Sequence, residues 1–168
     1  MLAASMNPCP CGYYGSKEKE CTCSNVAISK YMGKISGPLL DRIDICIEVS
    51  PVKYEKLDSA EKIESSAEIK ARVNKARKIQ YERYKNSKIL SNAELTPKLI
   101  DEFCKLDEKG KKILEEAFNR LKLSARAYGR ILKVARTIAD LEASANIEVK
   151  HIAEAIQYRS IDRKYWNN

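Results

Sequence analysis

A chain of 168 residues with 44% apolar side chains is long enough to bury one ordinary core or two small ones, so a folded domain is expected. No run approaches the ~18 apolar residues of a membrane span, and no cationic segment leads into an apolar stretch at the N-terminus; a cytoplasmic protein without a membrane partner follows. The net charge of +8, from 31 Lys and Arg against 23 Asp and Glu, favours polyanionic partners such as nucleic acid or nucleotide phosphates, with solvated helix faces as the plain alternative.

The first stretch, Met1 to Pro8, is a short apolar run closed by Asn7 and Pro8, which reads as the tail of a strand entering a turn. So short a strand cannot hold itself in a sheet, so its partners are expected from elsewhere or from residues before Met1. Cys9, Cys11, Cys21 and Cys23 then fall in two close pairs. Such pairs suit a tetrahedral thiolate zinc site with a structural role, although each pair has one intervening residue where the usual knuckle has two. A disulfide or redox function and unbound thiols are the alternatives, the disulfide disfavoured in a reducing compartment. Cys46 and Cys104 read as buried small side chains.

Ser24 to Ser36 carries a short helical pattern with Val26, Ala27, Tyr31 and Met32 on one side. Then Gly37-Pro38-Leu39-Leu40-Asp41-Arg42-Ile43-Asp44 places one arginine between two aspartates, ahead of the β-branched alternation of Ile43 to Val49, which predicts a strand. Arg42 therefore reads as braced by Asp41 and Asp44. Residues 1–52 form one unit, 53–64 a charged linker, and 65–168 a helical domain.

Within that domain Ser65 or Ser66 caps a basic helix with Ile69, Val73 and Ala76 facing inward. Thr96-Pro97 starts a second helix through Ile100 and Phe103. Asp107 caps a third, carrying Ile113, Leu114, Ala117, Phe118 and Leu121. Ser124 caps a fourth, Ala125 to Glu142, whose buried stripe is Ile131, Val134, Ala135, Ile138 and Leu141, flanked by a strip of Arg126, Arg130 and Lys133. The last helix runs from Val149 to Arg159 with Ile152, Ala153 and Ile156 inward, and His151 is expected on the surface or at an edge.

No complete catalytic set is present: there is no Ser/His/Asp arrangement, and Gly33-Lys34-Ile35 lacks what a phosphate loop needs. Asn7, Arg42 and Arg126 are left as groups that assist phosphate chemistry without starting it.

The run Met6 to Gly15, the run Gly37 to Asp44, Glu64-Ser65-Ser66-Ala67-Glu68-Ile69, Leu123-Ser124-Ala125-Arg126-Ala127-Tyr128 and His151 to Arg159 together resemble the C-terminal third of the ComM/YifB family of Mg-chelatase-like AAA+ ATPases. The resemblance implies a mainly α chain: the end of an AAA+ α/β core, with short strands and a Cys-rich loop, followed by a helical-bundle lid. It implies that Asn7 is sensor 1, that Arg42 is an arginine finger serving ATP at a neighbouring subunit, and that Arg126 is sensor 2 on the ATP phosphates. ATP and Mg2+ are the implied cofactors of the whole protein, DNA the implied partner, and a hexameric helicase ring for branch migration in recombination and natural transformation the implied assembly. This chain, without a phosphate loop or Walker B motif, is expected to be monomeric and inactive by itself. The cysteine pairs separate it from the chelatase subunits themselves; a Mg-chelatase ATPase subunit and a stand-alone basic nucleic-acid-binding module are the alternatives. Gly129, one turn into the lid helix, departs from the family's habit at a cost of about 1 kcal/mol against alanine.

Overall fold

The computed structural model describes residues 2–50, 52 and 64–166, the last seven by backbone alone. Most of the expected linker, 53–63, lies outside the described residues. After an N-terminal loop, 2–24, and with a further non-helical segment over 41–50, those residues form helices: α1 (Asn25–Met32), α2 (Gly37–Leu40), α3 (Ser66–Tyr84), a 3-10 turn (Asn92–Glu94), α4 (Pro97–Phe103), α5 (Glu108–Arg120), α6 (Ala125–Leu141) and α7 (Val149–Trp166). The expectation of a mainly helical chain is met, and among the described residues no helix is long and apolar enough to cross a membrane.

The helix starts follow their caps. The Ser65 hydroxyl accepts from the Glu68 N–H while the Glu68 carboxylate accepts from the Ser65 N–H, a complete capping box. Asp107 and Ser124 likewise accept from the Gly110 and Ala127 N–H groups at 2.7 and 3.1 Å. Helices α5 and α6 both end in Schellman turns without glycine: Leu123 N–H reaches Phe118 C=O and Ser144 N–H reaches Ala139 C=O, with Lys122 and Ala143 at positive φ. The first of these turns delivers the chain to Ser124 and so fixes where α6 begins.

α6 is the central element, packed on α7, α3, α4 and the 3-10 turn. Ile131, Val134, Ala135 and Ile138 are buried as its stripe predicts, but Leu141 lies exposed at the helix end, while Leu132, Arg136, Ala139 and Asp140 are also buried. A helix covered on this many sides buries its polar flank as well. Gly110 lets α5 close onto α7, because a Cβ there would stand 2.7 Å from Ile152 Cδ1.

Three further helices depart from the expected faces. In α3 the buried residues are Ala76, Gln80 and Tyr84, whereas Ile69 and Val73 are exposed, because only the C-terminal half of the helix meets the core. Val26 of α1 is exposed and Met32 is buried. In α7 Ala155 is buried and Ala153 only partly so.

The strand expected over Ile43 to Val49 is not formed. A strand is held by its neighbour's backbone, and among the described residues no strand runs beside this one. Ile45, Ile47 and Val49 are exposed, and the Cys46 N–H bonds instead to Tyr158 C=O of α7 at 3.1 Å. Cys104 is buried as expected, which pushes its thiol up to about 11, whereas Cys46 is half-buried.

Candidate functional site

Three local arrangements carry chemistry-bearing side chains. The first is the cysteine loop. Gly12, at φ +84°, turns the chain so that its N–H bonds Cys9 C=O at 3.0 Å, and Gly15, at φ +78°, turns it again. The Tyr14 N–H then points at Cys9 Sγ, 3.3 Å away. Cys9 Sγ lies 3.3 Å from Cys11 Sγ and 3.7 Å from Cys21 Sγ, with 3.5 Å between Cys11 and Cys21. With Cys23, all four sulfurs fall within 4.8 Å of one another. A tetrahedron with zinc–sulfur arms of ~2.3 Å has edges of ~3.8 Å, so the Cys9, Cys11 and Cys21 sulfurs stand near that spacing with Cys23 within reach of the same ion.

Their protonation is uneven. The Tyr13 backbone, together with the Cys9 thiol, holds Cys11 down to about 6. At Cys21 a backbone bond from Cys23 favours the thiolate, yet desolvation and the Cys11 and Cys9 sulfurs outweigh it and push the thiol up to about 12. One ionised sulfur raises the cost of the next, and a divalent cation relieves that repulsion. The exposed side chain of Asn7 stands at the rim, its Nδ2 3.7 Å from where a Cβ on Gly12 would be.

The second arrangement is the turn that carries Arg42. Helix α2 is one turn long, preceded by Ser36, whose side chain makes no capping bond, and started by Gly37 and Pro38; Leu40 is its buried residue. Past its end, the N–H groups of Asp41, Arg42 and Ile43 bond back to Gly37, Leu39 and Leu40. The exposed Arg42 side chain donates from Nη1 to Pro38 C=O at 2.9 Å. The brace expected from the aspartates is not made. Asp44 pairs with Arg130 of α6, and Asp41 Oδ1 lies 3.7 Å from Arg159 Nη2 of α7. Both carboxylates are claimed by helices of the C-terminal region, and among the described residues no carboxylate pairs with Arg42.

The third is the start of α6. Ser124 caps it, Ala127 is buried beneath it, and Arg126 projects as an exposed side chain from its first turn. No hydrogen bond or ion pair joins Asn7, Arg42 and Arg126 among the described residues; the four cysteines are the predicted site residues that come together. The strip of Arg126, Arg130 and Lys133 divides by partner: Arg130 takes Asp44, and Lys133 donates to Ala93 C=O at 3.0 Å.

Sequence reasoning missed the buried polar groups. Arg159 is 2% exposed and His151 fully buried. His151 Nδ1 accepts from the Glu148 N–H at 2.9 Å and Nε2 lies 3.2 Å from Glu142, which corrects its placement on the surface. Asp140 gathers Arg83, Arg136 and the Asn92 amide, and Asn92 accepts from Tyr84 at 2.6 Å. For Arg159 the signal was available: it continues the 152, 155/156 spacing of the buried stripe of α7.

A sequence profile described as "Magnesium chelatase, subunit ChlI C-terminal" matches residues 63–159, and "Magnesium chelatase, subunit ChlI" matches residues 1–57. The chain belongs to the Mg-chelatase-like family. Within it, the Competence protein ComM of Haemophilus influenzae is 44% identical over 163 residues, covering 96% of this chain and 31% of the relative. YifB of Salmonella typhimurium is 41% identical over 163 residues and YifB of Escherichia coli K12 42% over 164, with the same coverage. The chain thus spans just under a third of the length of the curated relatives it matches. These matches place this Mg-chelatase-like chain with ComM and YifB.

Proposed function

We propose that this chain works as part of a ComM-like AAA+ ATPase, supplying Arg42 as an arginine finger to ATP at a neighbouring subunit, Asn7 as sensor 1 and Arg126 as sensor 2. The observation that carries the reading is the state of Arg42: an exposed guanidinium on a pinned turn, with both neighbouring carboxylates paired elsewhere. A cation so placed has its charge left over for an anion. A guanidinium held against a transferring phosphoryl group contributes on the order of 10³ to 10⁵ in rate. Arg126 supports the same reading, since it projects from the first turn of α6, where the helix dipole also favours an anion.

In this reading ATP with Mg2+ is bound and hydrolysed between subunits of a hexameric ring that moves on DNA during recombination. Asn7 orients the attacking water, Arg42 offsets developing phosphate charge from across the interface, and Arg126 registers the same nucleotide class from the lid. Cys9, Cys11, Cys21 and Cys23 hold a structural zinc ion. Four thiolates leave zinc no open position, so its contribution is to fix the loop that carries Asn7.

The test is Arg42→Ala in the ring-forming ATPase that contains these residues. Turnover is expected to be abolished with nucleotide binding retained; unchanged turnover overturns the finger role. ATP hydrolysis at an enzyme-like rate by this chain alone would also refute the reading.

A second reading has its own support. Lys70, Lys75, Arg77 and Lys78 are exposed on α3, which suits a basic helix that binds nucleic acid without nucleotide. Tight DNA binding by the chain alone, indifferent to ATP and falling steeply with salt, favours that module.

A further inference from the structure

The turn bearing Arg42 is fastened to the helical region at three points. Arg159 of α7 donates through Nη1 to the carbonyls of Leu40, at 3.2 Å, and Ile43, and through Nη2 to that of Asp41 at 3.4 Å. These carbonyls lie at and just beyond the C-terminal end of α2, where helical partners run out and a cation is favoured. A rigid guanidinium fork meets several of them at once. The second tie is the Cys46 N–H on Tyr158 C=O, and the third is Asp44 paired with Arg130. Arg130 stands one helical turn after Arg126, on the same face of α6.

We propose that Arg159 and Arg130 are positioning residues that make the seat of Arg42 move with helices α6 and α7. This rests on the reading of Arg42 as a finger and of Arg126 as a nucleotide contact; the ties themselves do not. Residues 40–46 are gripped on both sides of Arg42, by α7 through Arg159 and Tyr158 and by α6 through Arg130. Among the described residues no strand runs beside this segment, and these ties join its own turn bonds in setting where the turn sits. A displacement of α6 driven through Arg126 by one nucleotide is then carried to the arginine that serves the next. The chain so becomes a relay between two nucleotide sites, with residue 42 as its output and residue 126 as its input.

The ties are tested in the 168-residue chain by amide hydrogen exchange. Arg130→Asp and Arg159→Gln are expected to raise exchange at the Arg42, Ile43 and Cys46 amides by about tenfold or more, with the Ile131 to Ala139 amides of α6 unchanged. The exchanged pair Arg130→Asp with Asp44→Arg is expected to restore protection. A merely structural loss would raise exchange throughout α6. If Arg159→Gln unfolds the chain, the Arg130 and Asp44 variants decide. No change at residues 42–46 in the single variants, or no recovery in the double, overturns the proposal.

In the ring-forming ATPase, Arg130→Asp is expected to flatten the ATP-concentration dependence of turnover towards independent sites, and the exchanged pair to restore its steepness. Unaltered cooperativity overturns the relay. Turnover that survives Arg42→Ala defeats the finger reading instead, while the exchange result stands independently.

Discussion

The two halves of the chain are held together by different physics. From residue 64 onward, buried Leu114, Ile131, Ala135, Ile152 and Ala155 form a continuous apolar core around α6. Residues 2–50 own almost no such core: Cys9, Met32 and Leu40 are their buried apolar side chains, while Ile45, Ile47 and Val49 face outward. Their order comes from a clustered set of sulfurs and from bonds given by arginines of the other half. Hydrophobic burial is proportional to area and needs no particular geometry, whereas thiolate clusters and charge-assisted bonds act at single points. The helical half should therefore fail cooperatively and the N-terminal half piece by piece.

The largest expected effect breaks the helical half. Asp140 is fully buried with Arg83, Arg136 and Asn92 around it, bonded to Arg83 Nη1 and the Asn92 amide at 2.9 Å. Removing it strands the buried Arg136 guanidinium and takes from the part-exposed Arg83 its buried partner. Asp140→Ala is expected to lower stability by about 3–5 kcal/mol in urea unfolding followed by helical signal, without altering the metal content of the cysteine loop. A loss below about 0.5 kcal/mol would mean the network is not a buried charge site.

A smaller effect in the helical half is expected from the sulfurs. Metal analysis should find about one zinc per chain, as a closed four-thiolate site requires. Cys9→Ser with Cys11→Ser should abolish it and speed amide exchange across residues 9–23. The helical unfolding midpoint should move by less than about 0.5 kcal/mol. Zinc retained by the double variant would remove the tetrahedral assignment, and a large fall in the helical midpoint would show that the halves are not independently held.

The smallest effect sharpens the comparison at the border between the halves. The Ser65 backbone N–H, then its hydroxyl, holds the Glu68 carboxyl below its ordinary value of 4.5. Because the folded value is depressed, the cap's contribution is present above that ordinary value and lost as pH falls through the folded one. The amides of the first turn of α3 should exchange faster, relative to the intrinsic rate, on that descent. Glu68→Gln should remove this pH dependence, while the α6 amides stay protected throughout.

Much of the helical half was legible because its signals are local. Asp107 and Ser124 cap the helices expected of them, Ser65 is the one of Ser65 and Ser66 that caps α3, and the stripe Ile131, Val134, Ala135, Ile138 is buried. Leu141 failed at the end of the same stripe, since a helix terminus runs out past its neighbours. Ile69 and Val73 failed because helical spacing identifies a face but not how far a neighbour extends along it. The strand at Ile43 to Val49 failed for the related reason that alternation marks a willing strand and cannot supply its partner. At the candidate site, the spacing of Cys9, Cys11, Cys21 and Cys23 announced a cluster that the fold assembles. The pattern Asp-Arg-Ile-Asp suggested a brace, and the carboxylates went to other arginines.

The sequence by itself determined where helices start, which cysteines can meet and to which family the motifs point, since each depends on residues close together in the chain. Tertiary structure alone decided the long-range partners of the charges. Arg159 reaches Leu40 across 119 positions, and Arg130 reaches Asp44 across 86. A charge is buried only where donors and acceptors from distant segments converge to replace water, and no local pattern encodes that convergence.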